Sequence, residues 1–130
     1  MSSLISELLV EAPLLTDGAW GTQLQMRGLG PGECGDAWNL THPAKVAEVA
    51  AAYVEAGSRI ILTNTFRSNR VALAAAGLAE KTVDLNRAGA EISLSAATRR
   101  SSARERRHGL SLGIIKSNRV VLGINNGDPT

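Results

Sequence analysis

Two short polar segments of this chain carry groups that are suited to bind a small ligand. One is Asp17-Gly18-Ala19, which follows a brief apolar run, and the other is Thr63-Asn64, near the end of a second apolar run. Glycine lets a ligand approach the backbone closely, exposed N–H groups can hold a carboxylate, and an aspartate can pair with an ammonium group. Each segment alone is also typical of a simple turn or strand end. Together they predict a site for an amino acid.

The two apolar runs predict the strands that must position these segments. Residues 12–16 precede the glycine-rich turn, and residues 59–66 form a β-branched run typical of a buried parallel sheet. The order strand, helix, strand, helix indicates an α/β protein with two β/α units. Because the carboxyl ends of parallel strands meet at one edge of a sheet, we expect the two polar segments to lie close together.

Helix and turn signals fill the rest of the chain up to residue 97. The clearest helix begins at Pro43, carries one apolar stripe and stops at Gly57. Glycines and a proline break the chain before it, and Gly77 separates two later helices. In chain order, the predictions are a helical turn at residues 22–27, a loop at 28–42, the helix from Pro43, a short helix at 69–76 and a longer helix at about 79–97.

The composition and the first residues indicate a soluble folded body without a secretory signal. Hydrophobic residues make up 44% and charged residues 20% of the 130 residues, close to globular averages. No apolar run approaches the ~20 residues of a membrane span, and the first residues lack the basic start of a signal peptide. A single cysteine excludes an intrachain disulfide. We therefore expect a cytoplasmic protein that does not enter a membrane.

The charge distribution divides the chain into two parts. Residues 1–98 carry 7 basic and 10 acidic side chains, whereas residues 99–130 carry 7 basic and 2 acidic ones. Five arginines fall within residues 99–107, followed by apolar runs at 110–115 and 119–124. This pattern predicts an irregular basic C-terminal tail, with a solvated linker and a weak hairpin, attached loosely to the body.

Several motifs in order resemble the start of the homocysteine-binding domain of homocysteine S-methyltransferases, a family that includes betaine-homocysteine methyltransferase and cobalamin-dependent methionine synthase. The resemblance covers roughly residues 12–97. The motifs are DGAWGTQLQ at residues 17–25, WNLTHP at 38–43 and YVEAGSRIILTNTF at 53–66, followed by NRVALAAAGL and LNRAGAEI.

The resemblance implies a fold, a reaction and a metal. The family fold is a (β/α)8 TIM barrel of about 250 residues, so residues 1–98 would be the first two β/α units and residues 99–130 a basic tail. The reaction transfers a methyl group from a donor to the thiol of homocysteine, giving methionine. Zinc held by three cysteines activates that thiol. By this resemblance, Asp17, Gly18, Ala19, Thr63 and Asn64 are the substrate-binding residues.

The metal ligands of the family have no counterpart in this sequence. Cys34 lies in the glycine-rich loop and matches none of the three ligand positions, so we interpret it as an ordinary loop thiol. His42 is interpreted as a capping or packing residue, and His108 lies in the tail. We therefore expect no zinc site and no catalytic residue in this chain, and no activity from it alone.

Two further features depart from the family pattern. Arg67 stands where the family commonly has glycine after TNTF, and its side chain would crowd the site or point into solvent. The resemblance ends near residue 97, where the charge reverses. These observations predict a truncation, a frameshift or a gene-model artefact.

The same sequence allows two other functions. Arginines at residues 99–107 would suit a small nucleic-acid-associated protein, but no aromatic residue accompanies them, so nucleic-acid binding is not expected. A non-catalytic remnant would instead associate through its unclosed sheet. The methyl donor and the oligomeric state do not follow from these residues.

Overall fold

The computed structural model describes Ser6, Pro13, residues 15–108 and residues 120–122. It contains helices and short parallel strands, as expected for an α/β protein. They are α1 (Trp20–Gln25), α2 (Trp38–Thr41), α3 (Pro43–Glu55), β1 (Ile60–Leu62), α4 (Arg70–Ala74), α5 (Thr82–His108) and β2 (Val120–Leu122), with 3-10 helices at Gly35–Ala37 and Ala79–Lys81.

Three parallel segments form the sheet in the part of the chain that the structure describes. Thr16 forms a parallel bridge with Ile60, and β1 pairs in parallel with β2, with Ile61 opposite Val121. The predicted parallel pairing of the first two strands is therefore confirmed, although β1 is shorter than residues 59–66. Ala12 and Leu14 of the first predicted strand lie outside the described residues.

The helix α3 forms as the sequence predicts. Pro43 occupies its first turn, where the missing N–H of proline costs nothing. Val46, Val49 and Val54 are buried on one face, because a period of 3.6 residues brings them onto the same stripe. The helix ends before Gly57, whose φ of 104° is a conformation that favours glycine.

The loop predicted at residues 28–42 is partly helical, which corrects that prediction. Gly35–Ala37 forms a 3-10 helix, and α2 follows it directly. The glycines break the chain only up to residue 35. Beyond that point Trp38 is 4% exposed, and its burial favours a compact turn of helix over an extended loop.

The prediction of an irregular basic tail is wrong for the residues that the structure describes there. Helix α5 continues without interruption through residue 98 to His108, well beyond the predicted end at residue 97. Residues 98–108 contain no glycine or proline and are rich in arginine, which is a good helix former. The arginines are therefore part of a helix.

The predicted weak hairpin is also corrected. Its second run contains β2, which pairs in parallel with β1 and does not form half of an antiparallel hairpin. Its first run, residues 110–115, lies outside the described residues. A parallel neighbour requires a crossover connection, which the segment containing α4 and α5 supplies. Residues 120–122 therefore contact the body through the sheet.

The hydrophobic core lies between the sheet and the helices α1, α3 and α5. Ile61 is completely buried in this core, and the half-buried Leu62 also packs against it. Ile60 is half-buried. Across the described residues, no helix is long and apolar enough to cross a membrane. The core consists of Trp20, Leu24, Trp38, Val46, Val49, Ala50, Val54, Ile61, Ala96 and Ala97.

Helix α5 packs tightly against the residues after β1 at Gly89. A Cβ atom at this position would lie 2.7 Å from Cγ2 of Thr65 and 2.8 Å from Nδ2 of Asn39. Both distances are well below van der Waals contact, so a side chain here would displace the groups that form the strand end. One turn later, the hydroxyl of Ser93 donates a hydrogen bond to the Leu62 carbonyl, 2.9 Å away.

We expect Gly89→Ala to lower the free energy of unfolding by about 1–3 kcal/mol, the usual cost of an overpacked interior. The measurement is chemical denaturation. The matched control is Gly21→Ala in α1, where a Cβ atom meets nothing within 4 Å, so its stability should be unchanged or slightly higher. A Gly89→Ala variant as stable as the wild type would contradict the close packing.

Candidate functional site

The two polar segments meet at the carboxyl end of the parallel strands. The backbone N–H of Leu62 donates to Oδ2 of Asp17 over 2.6 Å, and the N–H of Asp17 donates to the Ile60 carbonyl over 3.0 Å. The first segment therefore lies against the end of β1. This is the arrangement that the parallel strands predict.

The carboxylate of Asp17 has a structural task in this position. Its Oδ2 accepts the Leu62 N–H and also the indole N–H of Trp20, both at 2.6 Å. These bonds join the first strand end, the start of α1 and the strand β1. The pairing of Asp17 with a ligand ammonium group stays a prediction.

Gly18 and Ala19 differ in where they lie. Gly18 lines a cavity beside the strand ends, and a Cβ atom there would come within 3.3 Å of Oη of Tyr53, a contact tighter than most. Ala19 occupies the position that precedes α1, is exposed and does not line this cavity in the described structure. Of the three residues Asp17, Gly18 and Ala19, Gly18 is the one that lines the cavity.

Thr63 and Asn64 both line the cavity and are both buried. The hydroxyl of Thr63 lies 2.6 Å from that of Thr65. The Asn64 amide donates to the Gly35 carbonyl and to Oδ1 of Asn39, both at 3.0 Å. Asn64 therefore shapes the cavity wall, and its side-chain N–H groups are already engaged.

Asn39 is a residue of this network that the sequence reasoning missed. Its amide donates to the Asn64 carbonyl over 2.7 Å and to the Leu85 carbonyl over 3.1 Å. Asn39 is 2% exposed. The signal that could have found it is its place beside Trp38 in the motif WNLTHP, where a polar residue directly follows a large apolar one.

Asp36 is the second residue that was missed. It is 5% exposed and lines the cavity. Its Oδ2 accepts the Arg67 N–H at 2.8 Å and the Ser68 hydroxyl at 2.7 Å. Burial raises the pKa of this carboxyl above its usual range, while those two hydrogen bonds and the Arg67 charge oppose the shift.

The cavity itself measures about 340 Å³, at the lower end of the range of about 300–1,000 Å³ that is usual for small-molecule sites. Most of its wall is apolar. Among the residues that the structure describes, Asp36 and Arg67 are the two charged ones that line it. The apolar wall consists of Trp20, Leu24, Leu29, Leu62 and Phe66.

A metal site of the family's three-cysteine type is not formed by the described residues. Within residues 15–108 and 120–122, no three His, Cys, Asp or Glu side chains come together as a metal-binding group. Cys34 is a half-buried free thiol. His42 precedes α3 without a side-chain capping bond and packs on Trp38, with ring centroids 4.7 Å apart. The interpretation of His42 as a packing residue agrees with this contact.

A family model described as homocysteine S-methyltransferase matches residues 14–124. The chain belongs to the homocysteine S-methyltransferase family. The match includes residues beyond 97, where the motif resemblance ended, and it contains both α5 and β2. The expectation that the resemblance ends near residue 97 is therefore wrong. The recognisable motifs stop there, but the family pattern continues to residue 124.

Known members and folds agree with this assignment. Methionine synthase from Mycobacterium leprae is 35% identical over 94 residues, which are 66% of this chain and 8% of that protein. The homocysteine methyltransferase MmuM from Escherichia coli matches in its metallated form with a TM-score of 0.69 at 22% identity, over 93% of this chain and 40% of that one.

The oxidized form of MmuM matches with a TM-score of 0.67 at 24% identity, over 85% of this chain and 38% of that chain. Identities this low show the fold alone. The chain spans less than half the length of these relatives.

The buried Asp36 makes the stability of this family member depend on pH in a defined direction. The pKa of the Asp36 carboxyl is higher in the folded state than in the unfolded state. The contribution of this carboxyl to stability is therefore greatest below its unfolded pKa of about 3.9, and it is lost as the pH rises through its folded pKa. Asp36→Asn is neutral at every pH, and its amide oxygen can accept the same bonds.

We therefore expect the stability of Asp36→Asn relative to the wild type to increase as the pH rises from about 3 to about 7, because the wild type loses stability over that range. Denaturation at several pH values measures it. Asp36→Ala, which lacks the acceptor, should be less stable than Asp36→Asn throughout. A relative stability that does not change with pH would contradict the raised pKa of Asp36.

Proposed function

We propose that this chain supplies substrate-binding strand ends to a homocysteine S-methyltransferase, which transfers a methyl group to the sulfur of homocysteine. The observation that carries the proposal is the cavity at the carboxyl ends of the parallel strands, lined by Gly18, Thr63 and Asn64. Family membership supports homocysteine and a methyl donor as the partners. The proposed architecture is the start of a (β/α)8 barrel.

The cavity offers distinct surroundings to the two ends of homocysteine. Oδ2 of Asp17 already accepts two hydrogen bonds, so its other oxygen is the one proposed to face the ammonium group. The N–H groups near Gly18 and the Thr63 hydroxyl are proposed to bind polar atoms of the amino-acid end. The apolar wall formed by Trp20, Leu24 and Phe66 suits the methylene groups.

Methyl transfer needs a reactive sulfur in addition to a bound amino acid. The sulfur electron pair forms the new bond to the methyl carbon while the donor takes the electrons of the bond that breaks. Homocysteine must lose its thiol proton for this attack, and zinc serves that purpose in the family. Because the described residues do not fit a three-cysteine zinc site, we assign no step through zinc to this chain.

The two other functions have less support. The arginines at residues 99–107 belong to the long helix α5, within the region matched by the family model, which gives no argument for nucleic-acid binding. A non-catalytic remnant would share the fold and the cavity. Measurements of homocysteine binding and of methyl transfer distinguish these functions.

We expect the purified chain to bind L-homocysteine, and Thr63→Val to weaken binding about twofold to twelvefold. This factor corresponds to one hydrogen bond of about 0.5–1.5 kcal/mol. Titration calorimetry measures it. The matched control is Thr41→Val, because the Thr41 hydroxyl is exposed and bonds to the Ala37 carbonyl and His42. Equal affinities for both variants and the wild type would contradict the role of Thr63.

We also expect the 130-residue chain to retain no stoichiometric zinc after dialysis and to methylate no homocysteine with S-methylmethionine or S-adenosylmethionine. The thiol needs several protein ligands on a metal, and Cys34 alone cannot supply them. Metal analysis and a methyl-transfer assay test this. One tightly bound zinc per chain, or turnover that Cys34→Ser abolishes, would show that the proposal is wrong about this chain's competence.

A further inference from the structure

Arg67 occupies a fixed position at the mouth of the cavity. It follows Phe66 in the turn between β1 and α4, and it lines the cavity while remaining exposed. Its backbone N–H donates to Oδ2 of Asp36 over 2.8 Å, and its carbonyl accepts the Asn69 N–H over 2.9 Å. Both backbone polar groups are therefore held, which fixes the point from which the guanidinium extends.

The same carboxylate anchors the next residue of the turn. The Ser68 hydroxyl donates to Oδ2 of Asp36 over 2.7 Å, and Ser68 is completely buried. The turn that carries Arg67 is thus fastened to the 3-10 helix at Gly35–Ala37 from two adjacent positions. The backbone that carries the guanidinium is therefore already ordered before a ligand binds, which lowers the entropy cost of binding.

The charges at the cavity are balanced and of opposite sign. Asp36 and Arg67 are the charged lining residues among those that the structure describes. The salt bridge found among residues 15–108 joins Arg27 to Glu48, so no carboxylate there forms an ion pair with Arg67. The guanidinium is available to an anion that enters the cavity.

We propose that Arg67 binds the α-carboxylate of the amino-acid ligand. This inference rests on the proposed function and adds a specificity-determining residue to the same site. A guanidinium presents two parallel N–H groups to a carboxylate, a geometry that lysine cannot reproduce. An amino acid carries its two charges next to each other, so Arg67 at the cavity would bind the carboxylate while Asp17 at the strand end faces the ammonium group.

The test compares three ligands on the full chain by titration calorimetry. L-Homocysteine has the carboxylate and the thiol, its decarboxylated amine lacks the carboxylate, and L-α-aminobutyrate lacks the thiol. The variants are Arg67→Gln, Arg67→Lys and the control Arg87→Gln, whose side chain is exposed on α5 and does not line the cavity. Thermal unfolding of each variant verifies that it is folded.

We expect Arg67→Gln to lower the affinity for L-homocysteine and for L-α-aminobutyrate by about tenfold or more, which is the usual effect of losing a charge-assisted bidentate contact. Binding of the amine should change by less than about twofold. Arg67→Lys should recover part of the loss, and Arg87→Gln should match the wild type. If Arg67 had only a structural role, Arg67→Gln would lower the affinity for all three ligands equally, and that result would overturn the inference.

The remaining outcomes separate this inference from the proposed function. If the wild type binds both amino acids and Arg67→Gln binds them as tightly, the inference fails and the proposed function stands. If L-α-aminobutyrate binds through Arg67 but L-homocysteine does not bind, the inference stands and the proposed function fails. If the wild type binds neither amino acid, both fail.

Discussion

The side-chain amide of Asn39 connects three distant parts of the chain at the carboxyl end of β1. It donates to the carbonyls of Asn64 and Leu85 and accepts from the Asn64 amide, so its two N–H groups and its oxygen are all used. An unpaired amide at this depth would be costly, because water cannot replace the lost partner. The bonds form only if α5 comes close, and the missing side chain at Gly89 allows that approach.

The two aspartates beside the cavity depend on the same close packing. Asp17 joins the first strand end to β1, and Asp36 holds the turn that follows β1. Each uses one carboxylate oxygen for these bonds. The strand ends are thereby fixed before a ligand binds. Preorganised polar groups lose less conformational entropy on binding than mobile groups do.

The sequence predicted those parts of the structure that depend on local pattern. The stripe of α3, the parallel relation of Thr16 and Ile60 and the proximity of Asp17 to β1 all follow from periodicity or strand order. Asn39 and Asp36 were missed because their importance comes from partners far away in sequence, which no local pattern indicates. The end of α5 was misplaced because the arginines were judged by their charge and not by their helix propensity.

Mapping L-homocysteine onto the isotope-labelled chain by chemical-shift perturbation tests the central claim most directly, namely that the strand ends form an amino-acid site. We expect the largest shifts at the backbone amides of Gly18, Gly21, Gly35 and Thr63, which surround the cavity. Absence of shifts at saturating ligand, or shifts confined to the exposed surface of α5 around Glu91, would contradict it.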